Sequence, residues 1–368
     1  MNKVAIVSYE TSKFRKDSRD SIFDNAIQTC GPLLKKCDLP KSQIEAVLFS
    51  SCAREQYSSS ILSEMLGITP TVSHRIDNLC NSGTDAIVSA FSYIASGICD
   101  SALVVGAEQA DSPGNQLLWD ISRGSFNLPV HWAAMYAKSH MRKFGTTEEQ
   151  MAKVAVKNRL NATRNPKAIF KESITLDDVL YSKPIVDPIK VLDCSLLCSG
   201  SAAVLLLSEE KVKEVTDNPV WIKGIGRQTA SASFGSVLGD LSSIPPAKKA
   251  ANDAYKMAKI SANRIDVVEL HDAFTILEII AYEDLGFADK GKGGVFVNEC
   301  RRDINPRGGI LGCGHPVGAT GVAQTAEIVA QLSNEARGRQ VKECKNGLIL
   351  NLAAAGTSAT VIILGTDR

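Results

Sequence analysis

Histidine is scarce in this chain, with five in 368 residues, and aromatic side chains make up only 6%. Few groups can therefore carry proton transfer near neutral pH, and each histidine has to be weighed singly. No two of the ten cysteines stand as Cys-x-x-Cys, which removes the commonest zinc-finger and dithiol redox signatures. Cys194 and Cys198 together would be two ligands short of a structural zinc site, so no metal is expected. Neither sign of charge is in excess, with 41 Lys and Arg against 40 Asp and Glu, so nothing global points to nucleic acid or an anionic membrane. No apolar run approaches the ~20 residues of a membrane helix. The strand-like Lys3 to Val7 is too short for a signal-peptide core. These absences predict a soluble cytoplasmic protein with free thiols in a reducing compartment.

What is present is ordinary in bulk and unusual in arrangement. Hydrophobic residues at 44% and charged ones at 22% suit a globular chain of about two domains. Two stretches look like diverged copies of one unit. Ile44-Glu45-Ala46-Val47 matches Ile265-Asp266-Val267-Val268 at an offset of 221, and the match runs back without a gap to Ala26 and Ala247. Further on, Cys80 to Gly83 faces His315 to Gly318 at an offset of 235. Such long periods indicate a duplicated domain, since solenoid repeats are roughly 20–50 residues.

Strand and helix patterns alternate through both copies. The first reads as strand at 4–7, helix at 21–36, strands at 46–49 and 72–76, helix at 84–95 and a continuous apolar strand at 102–105. The second repeats the order at 221–225, 247–259, 267–270, 316–332 and 348–352, with the boundary near Thr216 to Pro219. Alternation of this kind predicts α/β architecture with helices layered on mixed sheets. Residues 111–195 have no counterpart in the second copy and are expected to form an inserted loop subdomain. The core halves are then 1–110 with 196–217, and 218–368. Within the insertion, Lys138 to Lys171 holds nine Lys or Arg against Glu148 and Glu149. A solvated helix face is the common meaning of such a run; a site for phosphates is the alternative.

Three residues carry candidate chemistry. Cys80 stands in the polar turn Asp77 to Gly83 just before a helix, where free N–H groups are expected to lower a thiol's pKa. Most buried cysteines are merely small hydrophobes, but Asn81, Ser82 and Gly83 make this a nucleophile's setting. His315 lies in the glycine-rich string Gly308 to Gly321, before Pro316, where a helix start disfavours the imidazolium. A phosphate-cradling loop would need a Walker lysine that is missing. His271 ends a predicted strand, the place where catalytic groups cluster in layered α/β folds. His74, His131 and His140 lack such context and are expected to be structural or on the surface.

Cys80-Asn81-Ser82-Gly83, His271-Asp272-Ala273-Phe274 and the run Gly314 to Gly321 together resemble the three active-site loops of the thiolase family. The resemblance spans essentially the whole chain, taking in Val105 to Glu108, Thr146 to Ala155 and Gly200 to Val204. The HDAF form is similar to that of archaeal and sterol-carrier-type thiolases. The resemblance implies the thiolase fold, a duplicated αβαβα core. It also implies that Cys80 is acylated by an acyl-CoA, that His315 activates it, and that His271 lines the oxyanion pocket. CoA thioesters would be substrates and no other cofactor is implied. Arg142 and Lys143 of the basic insertion would meet the nucleotide phosphates, and the turn at Ala355 and Gly356 would hold the thioester.

One departure is plain. Thiolases carry a second, proton-transferring cysteine in a CxG loop, and Ala353 stands there, with Ala355 at the CxG glycine. Cys313 and Cys194 are the candidates to replace it, and Cys313 is preferred because residues two apart on an extended turn share a side. The reading that follows is an acetyl-CoA C-acetyltransferase condensing two acetyl-CoA to acetoacetyl-CoA and CoA. The alternatives are a decarboxylating ketoacyl-synthase-like condensation and a channelling subunit. The family resemblance further implies a homodimer or homotetramer. It also implies association with hydroxymethylglutaryl-CoA synthase and a small OB-fold zinc protein.

Overall fold

The computed structural model describes residues 2–37, 39–111, 128–230, 240–299 and 303–367. The first half contains β1 (Val4–Thr11), α1 (Ile22–Lys36), β2 (Ala46–Ser50), α2 (Ser58–Leu66), β3 (Val72–Ile76), α3 (Ser82–Ala95) and β4 (Ser101–Glu108). An insertion follows: α4 (Pro129–Phe144), α5 (Glu148–Thr163), α6 (Leu176–Leu180) and the hairpin β5 (Pro184–Val186) with β6 (Ile189–Lys190). The half closes with β7 (Gly200–Ser208) and α7 (Glu209–Val215). The second half runs β8 (Val220–Thr229), α8 (Pro245–Ala258), β9 (Val267–Glu269), α9 (Thr275–Asp284), α10 (Gly293–Glu299), β10 (Asp303–Ile304), α11 (Gly309–Cys313), α12 (Thr320–Leu332), β11 (Asn346–Ala353) and β12 (Ser358–Gly365).

The strands of the two halves correspond one for one. The first half is ordered β3-β2-β4-β7-β1 and the second β10-β9-β11-β12-β8. In each, two parallel pairings at the outer side give way to two antiparallel ones. The halves join edge to edge where Ala5 and Ile6 of β1 meet Trp221 and Val220 of β8. The duplication seen in the sequence is thus a repeat of topology, and β2 and β9 begin at the matched residues Ala46 and Val267.

Three cores fill the spaces between layers. On one outer face α1, α2 and α7 bury Ile22, Leu33, Leu62 and Val212 against β2, β4 and β7. On the other, α8 and α9 pack Ala250, Ile276 and Ile280 on Leu348, Val361 and Ile363. Between the sheets, α3 and α12 share a core with Ile6, Val104 and Leu206 from one half and Ile349, Ile362 and Leu364 from the other. This is the αβαβα stack. Every residue of α12 is buried, as expected of a helix enclosed on all sides.

The ends of the elements follow local chemistry. Ser21 caps α1 by accepting from the Asp24 N–H while Asp24 accepts back from Ser21, a reciprocal box that satisfies two orphan donors. Two prolines open α8 at positions where the missing N–H costs nothing. Where the expectation was one helix over 316–332, a 3₁₀ turn at Val317–Ala319 precedes α12. Pro316 at φ −80 and ψ 77 is outside helical geometry. The insertion packs Trp132, Tyr136, Met151 and Val154 into the second half's outer core. Much of its apolar surface therefore serves that half. Residues 112–127, at the start of the expected subdomain, lie outside the described residues.

Candidate active site

Cys80 sits in the tight link between β3 and α3. Leu79, immediately before it, has φ +50, a left-handed conformation that costs a non-glycine residue roughly 1–2 kcal/mol. The loop is pinned to hold it. The Ser82 hydroxyl donates to the Leu79 carbonyl at 2.6 Å and accepts from the Asn78 N–H at 2.7 Å. Below it, Asp85 accepts from Asn78 at 2.6 Å, Asn81 at 3.1 Å, Thr360 at 3.2 Å and Arg227 at 2.8 Å. Thr360 and Arg227 come from the second half, so the Cys80 loop is clamped across the junction.

His315 arrives from that second half. Its main-chain N–H donates to Leu196 O at 2.7 Å. Its Nδ1 lies 2.8 Å from Thr320 Oγ1, and its Nε2 lies 3.2 Å from Cys80 Sγ. For Nε2 to accept the thiol proton, Nδ1 must carry the ring hydrogen, and Thr320 is placed to receive it. Thr320 opens α12, so the helix that fills the central layer also sets this tautomer.

His271 is oriented by a relay of amides. Gln324 Nε2 donates to Leu270 O at 2.8 Å, which leaves Gln324 Oε1 to accept from Asn351 Nδ2 at 2.9 Å. The same Asn351 Nδ2 lies 3.0 Å from His271 Nδ1. His271 Nδ1 is therefore an acceptor, and its hydrogen is on Nε2. That Nε2–H is a donor with no task in the relay. The His271 and His315 rings meet edge to face at 5.4 Å, and Cys80, His271 and His315 have their ligating atoms all within 4.8 Å of one another. A thiol and two imidazoles are also donor types that zinc accepts. Among the described residues no fourth Cys, His, Asp or Glu joins this cluster.

Electrostatics depart from the expectation for the thiol. Burial pushes Cys80 up to about 12, helped by the carboxylate of Glu108, and outweighs the N–H groups of Ala354 and Cys80 itself that favour the thiolate. The start of α3 does not make a resting thiolate, because desolvation is the larger effect. His315 is held neutral as expected, though chiefly by burial and then by the charge of Arg307, which bring it down to about 4. His271 is driven well below its usual value by burial and by His315.

Other expected residues fall elsewhere. Cys313, preferred as the second acid/base, is not part of the cluster: its thiol donates to Arg307 O at 2.9 Å and accepts from Asn165 at 3.4 Å. It sits on the short helix α11, not on an extended turn, so the two-residue spacing to His315 does not bring it to the same side. The Cys194 thiol donates to Lys190 O at 3.3 Å, and burial pushes it up to about 12. The N–H that reaches Cys80 belongs to Ala354, at φ +52, and not to Ala355, whose carbonyl accepts from Tyr136 at 2.7 Å. Gly356 follows at φ +79 with its N–H on Ala353 O. Arg142 is exposed at the end of α4, and Lys143 beside it is paired with Asp240 at 2.8 Å.

Most of the basic run reads as ordinary ion pairing. Lys138 meets Asp187, Lys153 meets Glu149, Lys157 meets Glu278 and Lys167 meets Glu10. Arg142 and Arg164 pair with no carboxylate among the described residues. The three remaining histidines are structural: His74 bonds Tyr93, His131 accepts from Leu128, and His140 is buried between Thr146 and Glu283.

Two family models cover the chain, the thiolase N-terminal domain over residues 3–210 and the thiolase C-terminal domain-like family over residues 230–366. The chain belongs to the thiolase family. Its relatives include the acetyl-CoA acetyltransferase of Methanothermobacter thermautotrophicus, 35% identical over 99% of both chains. That of Methanocaldococcus jannaschii is 33% identical over 99% of this chain and 98% of its own. A solved structure described as an Ltp2-ChsH2(DUF35) aldolase superimposes with a TM-score of 0.89 at 25% identity, over 100% of this chain and 98% of that one. The protein is an acyltransferase of this family, and among its described residues no helix is long and apolar enough to cross a membrane. The thiolase's Asn351, Gln324, Thr320 and Ala354 went unread in the sequence. Asn351 did leave a signal there, as one amide inside the apolar strand Leu348 to Leu352.

Proposed function

We propose that the protein is an acetyl-CoA C-acetyltransferase that makes acetoacetyl-CoA and CoA from two acetyl-CoA, reversibly, through an acetyl-Cys80 intermediate. The observation that carries this is the 3.2 Å contact from His315 Nε2 to Cys80 Sγ, with the donor face of His271 beside it. As the thiol attacks the first thioester, its proton passes to His315. The N–H groups of Cys80 and Ala354 stabilise the oxyanion, and the departing CoA sulfur takes the proton back. His271 Nε2–H then holds the thioester oxygen of the second acetyl-CoA. With no second thiol in the cluster among the described residues, His315, neutral again, is the base for its α-proton. The resulting carbanion attacks acetyl-Cys80, releasing acetoacetyl-CoA and restoring the thiol.

Arg142 and Lys143 are our candidates for the CoA phosphates, together with the Ala354–Gly356 turn at the thioester. The test is mass spectrometry of the protein after acetyl-CoA, beside thiolysis of acetoacetyl-CoA. We expect an acetyl group on the Cys80 peptide and loss of both signals in Cys80→Ala. Retention of either by the variant defeats the assignment.

A second reading rests on the same lack of a second thiol and on the aldolase relative. Here His315 would take a β-hydroxyl proton, the carbon–carbon bond would break, and His271 would hold the enolate of the released thioester. Turnover of a β-hydroxyacyl-CoA without any Cys80 adduct would select this reading. A homodimer or homotetramer in the cytoplasm is expected. An OB-fold zinc protein and hydroxymethylglutaryl-CoA synthase are the partners proposed. Co-purification and light scattering of the native protein test these.

A further inference from the structure

Behind the His315 loop lies a second concavity that none of Cys80, His271 or His315 touches. It has a volume of about 70 Å³ and is bounded by the end of β1, residues 165–167 of the insertion, Arg307 before α11 and Cys313 at its end, and one face of α12. Space exists there because α12 presents the small side chains of Ala323, Ala326 and Ala330 toward it, beside Glu327. A single water needs about 10–15 Å³ measured this way, so the space takes several waters or one small oxyanion. Three cations, Lys167, Arg307 and Arg339, line it with one carboxylate, Glu327.

Arg307 is the informative member. It is only 4% exposed, and Glu269 takes its Nε at 3.2 Å and its main-chain N–H at 3.3 Å. Its Nη2 is buried with no hydrogen-bond partner. A buried donor left without an acceptor keeps its full desolvation penalty, which is larger still for a charged guanidinium. Glu327 is already committed, accepting three bonds from Arg339 at 2.8–3.0 Å, and Lys167 is engaged by Glu10. The acids nearby are thus spoken for while a buried cationic donor is left over. Burial, then the neighbouring Glu327 and Asp272, push Glu269 upward against the pull of Arg307, which leaves Arg307 less fully neutralised.

We propose that this cleft is a binding site for a small oxyanion, of the size of inorganic phosphate or a short carboxylate, received by Arg307 Nη2 and closed over by Lys167. The class follows from the donors, since guanidinium forks match two oxygens of one anion. The site also has a route to the chemistry: the charge of Arg307 is one of the two causes that hold His315 down. An anion on Arg307 offsets that charge and makes His315 more basic, without entering the substrate pocket.

The experiment uses the whole protein saturated with CoA, so that the substrate's own phosphate contacts are occupied. Melting is followed with added inorganic phosphate and, separately, acetate, each against sodium chloride at matched ionic strength. Crystals are soaked in selenate, whose selenium is located by anomalous scattering. We expect saturable stabilisation beyond the chloride control and a selenium peak within hydrogen-bond distance of Arg307 Nη2. Which of phosphate and acetate gives the larger effect separates the two sources. Both signals should vanish in Arg307→Gln/Glu269→Gln, which removes the pair together and leaves no orphaned carboxylate. Should that variant fail to fold, Lys167→Met is read instead and should weaken binding about fivefold or more. Stabilisation equal to chloride, an unchanged response in the variants, or selenium found only elsewhere overturns the proposal.

Discussion

A resting enzyme with a neutral thiol and a neutral imidazole is the most direct consequence of the site's burial. Cys80 is pushed up to about 12 and His315 down to about 4. The two values lie about 8 apart, so moving the proton from sulfur to nitrogen costs ~11 kcal/mol before the charges attract. At 3.2 Å and an effective dielectric of about 20, that attraction returns ~5 kcal/mol. The remaining ~6 kcal/mol leaves about one site in ten thousand as a thiolate–imidazolium pair. Iodoacetamide should then alkylate Cys80 slowly at neutral pH, at a low level rate below about pH 8, where the minor ion pair supplies the thiolate, and at a rate rising toward tenfold per pH unit above it. The thiolate's ultraviolet absorbance should be missing below about pH 8. A fast alkylation rate that stays level across that range would refute the reasoning, because it would mean that the preformed ion pair predominates. The rate should be followed on the Cys80 peptide by mass spectrometry, since other thiols are raised by burial to comparable values, Cys99 to about 11 and Cys30 and Cys194 to about 12.

Three further outcomes are expected. The folded value of His315 near 4 lies below the unfolded 6.5, so the unfolded chain binds more protons in between. Its contribution is neutral above pH 6.5 and destabilising as pH falls, reaching ~3 kcal/mol near pH 4; urea titrations should show that difference shrinking in His315→Gln. Asn351→Leu breaks the amide relay and frees His271 to rotate its hydrogen to Nδ1. Turnover should fall about 10²-fold, the scale of losing one oxyanion donor, while Cys80 alkylation stays as it was, and unimpaired turnover would discount the relay. Gly321→Ala places a Cβ 2.6 Å from the Thr84 backbone nitrogen, where α12 crosses α3. The helices must separate, and calorimetry should record a loss of about 2 kcal/mol or more.

The duplication and the residues of the Cys80, His271 and His315 cluster were legible because they rest on local strings: the matched 44–47 and 265–268, and three loops rich in glycine and small polar residues. Helix α9 was not legible. Its run Ile276-Leu277-Glu278-Ile279-Ile280 is buried on every side, so it lacks the polar face that reveals a helix by its period. The relay was missed for a different reason. Asn351, Gln324 and Leu270 come from three separate elements, and their geometry exists only once β11, α12 and β9 have packed. Cys313 misled because spacing alone says nothing of side-chain direction until the backbone is known to be helical there. The sign of the Cys80 shift also could not be read locally. The helix start is a short-range signal, whereas the desolvation that overrides it is supplied by both halves.

The edge pairing of β1 with β8 has a consequence for how the protein comes to be active. Cys80 belongs to one copy of the repeat and His315 to the other, and Asp85 is held by Arg227 and Thr360 across the same seam. Neither copy holds a proton donor and its acceptor. Activity is therefore a report on docking: a chain with both halves folded but misaligned by an ångström would be chemically silent. A newly synthesised chain could not begin acyl transfer before its second half had closed on the first.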